Sequence, residues 1–455
     1  MLAWKGQAVR DSGFFAAPAS AEARTLLTLW QEEGFAKKLR EESNACGFPR
    51  NDYIFCGALL AVCAARALDS GNAVFALSLA QEATSYSQMD GFAQEVILKA
   101  HHALDPRLPS IEETEDWLKT RFCLRPFTMI ETTTSGEFYR CCPSYLPLPI
   151  GRMETKDVGA VLNSSESRRI KDSILDGSFR YCSKLVCPFI GGRTLMSRAE
   201  GLAQMAVLPE TPETIVFSHD LSCNLSCPSC RKERIVIPKD EQERFDSLTE
   251  DVLLPLMDKA KTINICGSGD PFASIHFRNL LIRYCRTAAP QSKRLLLQTN
   301  GVLCDAKAWE SMGLEGHVRE VQISIDAATP DTYAVLRRGG DFNRLKDNLG
   351  FLSALRRTGR IDQLILRFVV QAPNFREMPA FAHWGIALSV DGVQFSQLRN
   401  WGTFAPEAYA QACVTLNTHK DHAAFLALLE DPIFNHPVVQ MGDIQNFRVP
   451  AQENS

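Results

Sequence analysis

Residues 213–231 read ETIVFSHDLSCNLSCPSCR, and the three cysteines in that stretch restrict the fold more than any other feature of the chain. Cys223, Cys227 and Cys230 form a C-x3-C-x2-C array directly after the β-branched and aromatic run Thr214–Phe217. Such a run predicts a strand, so the array occupies the loop that leaves it. Three thiolates from one loop can grip three corners of a [4Fe–4S] cube and leave the fourth iron open. An open iron can bind a ligand, whereas a fully ligated one only passes electrons. Structural zinc is usually closed by four ligands in two pairs. No C-x2-C partner follows within the next fifty residues.

The redox setting follows from the other thiols. The 455-residue chain has fifteen cysteines, yet its first residues, MLAWKGQAVRDSG, contain no apolar export core. The most apolar run, Ile54–Leu68, contains Arg66 and is too short to span a bilayer. A cytoplasmic protein with reduced thiols is expected, in which clustered cysteines read as metal ligands. A net charge of −4 gives no basic footprint for long nucleic acid.

From 206 to 400 the chain alternates predicted strands and helices, the pattern of βα units and a parallel sheet. The expected strands are Thr214–Phe217, Thr262–Cys266, Arg294–Gln298, Glu320–Ile325, Leu364–Val370 and Val393–Phe395. Helices are expected near Leu248–Ala260 and Phe277–Ala288. Chemistry in such architectures sits at the carboxyl ends of the strands, and those ends are polar here. Gly267-Ser268-Gly269-Asp270-Pro271 leaves the second strand, Gln298-Thr299-Asn300-Gly301 the third, and QISIDAATPDTY, with Arg337 and Arg338 after it, the fourth.

The array, the glycine-rich turn and the fourth-strand phrase, in that order, resemble the signature of the radical S-adenosylmethionine (SAM) superfamily. The resemblance implies a partial (β/α)6 TIM barrel and a [4Fe–4S] cluster on Cys223, Cys227 and Cys230, with SAM on the open iron. One electron then cleaves the sulfonium to a 5′-deoxyadenosyl radical, which abstracts hydrogen from the substrate. It further implies that Gly267, Ser268, Gly269, Asp270 and Pro271 hold the methionyl end of SAM. Asn300, Ser324 and Asp326 reach its ribose or carboxylate. Two departures stand out: Ser268 replaces a glycine of the family's GGEP turn, and Ser229 stands where an aromatic residue usually packs on adenine. Asp326 can alternatively cap the helix after it. Arg367 on the fifth strand faces either the interior or the outside.

Residues 109–205 lose helical periodicity and gain Cys123, Cys141, Cys142, Cys182 and Cys187. Phe127, Met129 and Glu131 alternate into Thr133-Thr134-Ser135-Gly136, and Phe138 resumes a return strand, so a β-hairpin brings Cys123 and Cys141 together. A helix-like stretch, Ser167–Leu175, precedes Cys182-x4-Cys187. This pattern resembles the SPASM and twitch auxiliary-cluster domains, although it precedes the barrel and lacks their closing C-x2-C pair. The resemblance implies one auxiliary [4Fe–4S] cluster on Cys123, Cys141, Cys182 and Cys187, with Cys142 spare.

Residues 1–108 read as helices: one capped by Ser20 and ending at Gly34, a second from Asp52 to Gly71, a third carrying Phe75, Leu79 and Ala83, and a fourth carrying Phe92, Val96 and Ala100. Small residues at the crossings resemble tetratricopeptide (TPR) repeats, without a 34-residue self-match. Residues 401–455 form a C-terminal extension with one helix, Glu407–Leu429. The expected fold is therefore α/β: a TPR-like region (1–108), a cysteine-rich hairpin domain (109–205), a partial TIM barrel (206–400) and the extension. The expected substrate is a peptide or protein, or else a sugar or aminoglycoside-type alcohol, with flavodoxin or ferredoxin as electron donor. A reading from another class is a non-catalytic zinc-binding scaffold.

Overall fold

The computed structural model describes residues 50–448 except 87–90, 105–108, 210, 266–267, 290, 292–293, 401–402 and 405. The helix expected at Ser20–Gly34 lies outside the described residues. Among those described, no helix is long and apolar enough to cross a membrane. The chain divides into two compact units. One takes the described residues up to 121 with 144–148 and 176–191; the other takes 122–143, 149–175 and 192–448.

The first unit is helical: α1 (Arg50–Asp69), α2 (Ala73–Tyr86), α3 (Gly91–Leu104) and α4 (Ile111–Lys119). Small side chains let the first three helices approach closely. Ala61, Ala64, Ala76, Ala80, Ala93 and Ala100 are fully buried among Leu60, Leu77, Val96 and Ile97. α4 lies where helical periodicity was expected to have ended. Its signal is the capping box Ser110-x-x-Glu113, in which Ser110 Oγ accepts from Glu113 N at 3.1 Å and Glu113 Oε2 accepts from Ser110 N at 2.7 Å.

The second unit is built on one ten-stranded sheet. Its strands are β1 (Met129–Thr132), β2 (Glu137–Tyr139), β3 (Pro149–Arg152), β4 (Thr214–Phe217), β5 (Thr262–Ile265), β6 (Leu295–Thr299), β7 (Val318–Ser324), β8 (Gln363–Val370), β9 (Gly392–Gln397) and β10 (Val439–Gln440). The spatial order is β10-β9-β8-β7-β6-β5-β4-β1-β2-β3. Along β1-β4-β5-β6-β7-β8-β9-β10 all neighbours run parallel, β2 and β3 pair antiparallel at the edge, and the six expected strands occupy consecutive places as β4 to β9. One face is apolar and wholly buried, with Ile263, Ile265, Leu297, Ile323, Leu366 and Phe368 at 0% exposure. Helices α5 (Ser165–Leu175), α6 (Lys239–Ser247), α7 (Leu254–Lys259), α8 (Ile275–Thr287), α9 (Pro330–Leu336), α10 (Phe342–Arg357) and α11 (Met378–Ala387) connect the strands.

Three local expectations need correction. The hairpin forms, with Glu131 opposite Tyr139, but it is no isolated ribbon. β1 also pairs parallel with β4, Ile130 against Ile215 and Thr132 against Phe217, so the hairpin widens the main sheet. Both edges of β1 are thereby hydrogen-bonded. The helix expected near 248–260 is a π turn at Thr249–Leu253 followed by α7, with α6 directly before it. Leu253 N bonds Leu248 O at 3.1 Å, and Pro255 in the first turn of α7 has no N–H to continue the regular ladder. The C-terminal helix is two short ones, α12 (Pro406–Ala412) and α13 (His422–Leu428). The intervening VTLNTH is poor in helix formers, and His419 and His422 bond the carbonyls of Gln411 and Val414, each at 3.0 Å.

Candidate functional site

The loop after β4 is fixed before its cysteines are reached. Asp220 is buried and accepts from Ser222 N at 2.6 Å and Ser274 Oγ at 2.5 Å. Ser222 Oγ accepts from Ile237 N at 3.1 Å, and Cys223 N donates to Ile235 O at 2.9 Å. Cys230 N and Arg231 N both donate to Cys227 O at 2.9 Å, a tight turn that brings the second and third thiols round. Cys223 and Cys227 are buried around Leu225, and Cys230 is exposed.

Each of the three sulfurs faces N–H donors. Cys223 Sγ accepts from Leu225 N at 3.5 Å and Asn300 Nδ2 at 3.8 Å. Cys227 Sγ accepts from Arg337 Nη1 at 3.8 Å, and Cys230 Sγ from Arg231 Nη2 at 3.3 Å. Burial pushes the Cys223 thiol up to about 11, with the Asp270 charge adding to it, and burial raises Cys227 as well. Two arginines thus supply positive charge where thiolates would be costly. Three thiols on one loop, each with a donor at sulfur and two with a guanidinium, fit a cluster held at three corners. Among the described residues, no three His, Cys, Asp or Glu groups converge on a single ion.

The glycine-rich turn packs on this loop. A Cβ on Gly269 would lie 2.5 Å from Asp220 O and 2.6 Å from Ser222 O, so only glycine permits the approach. Ser268 O accepts from Arg231, which also donates to Leu221 O at 2.6 Å. Pro271 is buried, and Gly267 lies outside the described residues. Asp270 is a hub. Its Oδ2 accepts from Thr299 Oγ1 (2.7 Å), Asn300 N (2.8 Å) and Asn300 Nδ2 (2.7 Å), and its Oδ1 from Phe272 N (3.0 Å). Burial raises its pKa against these bonds. Asp270 therefore aims Asn300 at Cys223.

Asp326, expected as a cofactor contact, has both carboxylate oxygens engaged within the chain. Oδ1 accepts from Val369 N at 2.7 Å, and Oδ2 pairs with Arg337 Nη2 at 2.7 Å. Ser324, half-buried at the end of β7, makes no side-chain hydrogen bond among the described residues.

The register gathers a second set whose common face the sequence reading did not assign. On the face opposite the apolar one stand Glu131, Asn264, Gln298, Gln322, Ser324 and Arg367. Arg367 donates to Gln322 Oε1 at 3.2 Å, which places it on this polar face. Asn264 Oδ1 is buried without a hydrogen-bond partner among the described residues. The available signal was alternation: polar residues at every second position of otherwise apolar strands. Burial pushes the Glu131 carboxyl up to about 7, opposed by the hydrogen bond from Ser218 and by Arg125.

The other cysteines divide between the units. Cys182 and Cys187 belong to the first. Cys123, Cys141 and Cys142 belong to the second, where all three interact electrostatically with Arg125 and Cys141 also hydrogen-bonds it.

Residues 218–366 match the family model of the Radical SAM superfamily. The GTP 3′,8-cyclase of Pelotomaculum thermopropionicum (strain DSM 13744 / JCM 10971 / SI) is 30% identical over 121 residues, 26% of this chain and 36% of that protein. The enzyme of the same name from Alkaliphilus metalliredigens (strain QYMF) is 26% identical over 178 residues, 39% of this chain and 53% of its own. The chain thus spans about half or less of the curated relatives it matches. Among solved structures, Streptococcus suis SuiB bound to precursor peptide SuiA aligns with 14% identity and a TM-score of 0.36, over 71% of this chain and 72% of that one. The matched stretch, residues 218–366, lies within the second unit.

Proposed function

We propose that the chain is a radical SAM enzyme acting on a peptide or protein. Cys223, Cys227 and Cys230 would hold a [4Fe–4S] cluster, and the turn 267–271 with Asn300 and Ser324 would border SAM. Bound together, cluster and SAM supply one-electron cleavage of the sulfonium to a 5′-deoxyadenosyl radical that abstracts hydrogen from the substrate. The chain's own residues supply position and shielding. Asp270 orients Asn300, Arg231 ties the cysteine loop to the glycine-rich turn, and Leu225 shields two of the thiols from water. The observation that carries the reading is the convergence of N–H donors on all three sulfurs of one loop.

The finer part of the proposal is an auxiliary [4Fe–4S] cluster on Cys123, Cys141, Cys182 and Cys187, a ligand set taken from the sequence alone. An acceptor for a second electron suits oxidation or cross-linking. The name of the curated relatives favours a second reading, cyclisation of GTP.

Anaerobically loaded protein given SAM and dithionite is expected to form 5′-deoxyadenosine, and Cys227→Ala is expected to form none. Full turnover by that variant would refute the cluster assignment. Deuterated peptides and deuterated GTP separate the two substrates, since only the true one transfers deuterium into 5′-deoxyadenosine.

A further inference from the structure

We infer that Arg337, locked in place by Asp326, is a positioning residue that sets the reduction potential of the cluster on Cys227. The inference rests on the cluster reading above. Asp326 is a non-glycine residue at φ 60° and is 1% exposed. Such a conformation persists only where the surroundings over-determine it. Here Val369 N fixes Oδ1, Asn374 Nδ2 donates to the Asp326 carbonyl at 2.9 Å, and Oδ2 is left to Arg337. Arg337 then spends Nη2 on Asp326 and Nη1 on Cys227 Sγ. Its Nε is buried without a partner among the described residues, a donor still lacking an acceptor. A cluster edge at Cys227 brings sulfide and thiolate acceptors to that guanidinium.

The guanidinium is ion-paired to the buried Asp326 carboxylate at 2.7 Å, and an arginine keeps its charge across the accessible pH range. The positive charge is therefore permanent. Reduction adds one negative charge to the cluster, and a fixed cation with N–H donors stabilises that state, so the potential rises. Arg231 makes the corresponding contact to Cys230, but that thiol is exposed, where water and salt screen the charge. Cys227 is buried, so Arg337 has the larger effect.

The test uses the full chain, loaded anaerobically with iron and sulfide and titrated redox-potentiometrically. The electron paramagnetic resonance signal followed is the one that SAM addition alters. Arg337→Gln is expected to lower the midpoint, so that near the wild-type midpoint the reduced-to-oxidised ratio falls on the order of tenfold. Arg337→Lys keeps the charge but cannot bridge Asp326 and Cys227, and is expected to fall between. Arg360→Gln, which removes an exposed partner of Glu315, is expected to leave the midpoint unchanged. A fully loaded Arg337→Gln with the wild-type midpoint overturns the inference and spares the cluster reading. Should that variant not fold, Arg337→Lys with the wild-type midpoint and line shape overturns it equally. Wild-type protein that takes up no iron sinks both.

Discussion

Two buried groups in the second unit pull its pH stability in opposite directions. Glu131 has a folded pKa of about 7 against 4.5 in the open chain. Its contribution is complete below pH 4.5 and is lost as pH rises through 7, about 3 kcal/mol at most. His219 is fully buried, and burial chiefly holds its pKa well below 6.5. It favours the folded state above pH 6.5 and costs stability as pH falls below it. Glu131→Gln is therefore expected to melt higher than wild type at pH 8, with most of that gain gone at pH 5. His219→Gln is expected to lessen the loss on acidification. Thermal midpoints at the two pH values check both signs. Gly269 offers a steric test. Gly269→Ala drives a methyl into two carbonyls, a clash of about 1–3 kcal/mol, and should lower the iron bound per chain.

The hairpin strand β1 is held at its end by a chain of polar groups. Thr132 Oγ1 meets His219 Nδ1 at 2.8 Å, His219 Nε2 meets His276 Nε2 at 3.0 Å, and His276 Nδ1 meets Asp246 Oδ1 at 2.6 Å. The neutral arrangement satisfies every group: Thr132 donates to His219, His219 to His276, and His276 to the Asp246 carboxylate. β1, the start of the cysteine loop, α8 and α6 are thereby tied together. Thr132→Val keeps the shape but leaves His219 Nδ1 and Ser218 N without that hydroxyl. A loss of about 1–3 kcal/mol in denaturant unfolding is expected. The pairing of β1 with β4 was not legible in the sequence, because alternation identifies a strand but does not name its partner.

For the whole molecule the decisive quantity is the metal content of the full chain. Two [4Fe–4S] clusters predict about eight irons per chain, and Cys223→Ala together with Cys227→Ala should leave about four. Replacing Cys123 and Cys141 should independently leave about four. Colourless protein carrying zinc would point to the scaffold reading.

Residue order alone identified the three-cysteine loop, the six βα strands and the polar turns behind them, because each is a local pattern of spacing and alternation. It placed Asp270 and Asp326 at the right strand ends, yet not their partners. Asp270 serves Asn300 across 30 residues, and Asp326 serves Val369 across 43. Packing alone decided that Gly269 must be bare, that Arg337 reaches Cys227 across 110 residues, and that Glu131 shares a face with Asn264 and Arg367. Local propensity reaches a few residues along the chain, whereas the field around a thiol is set by whatever the folded backbone brings against it.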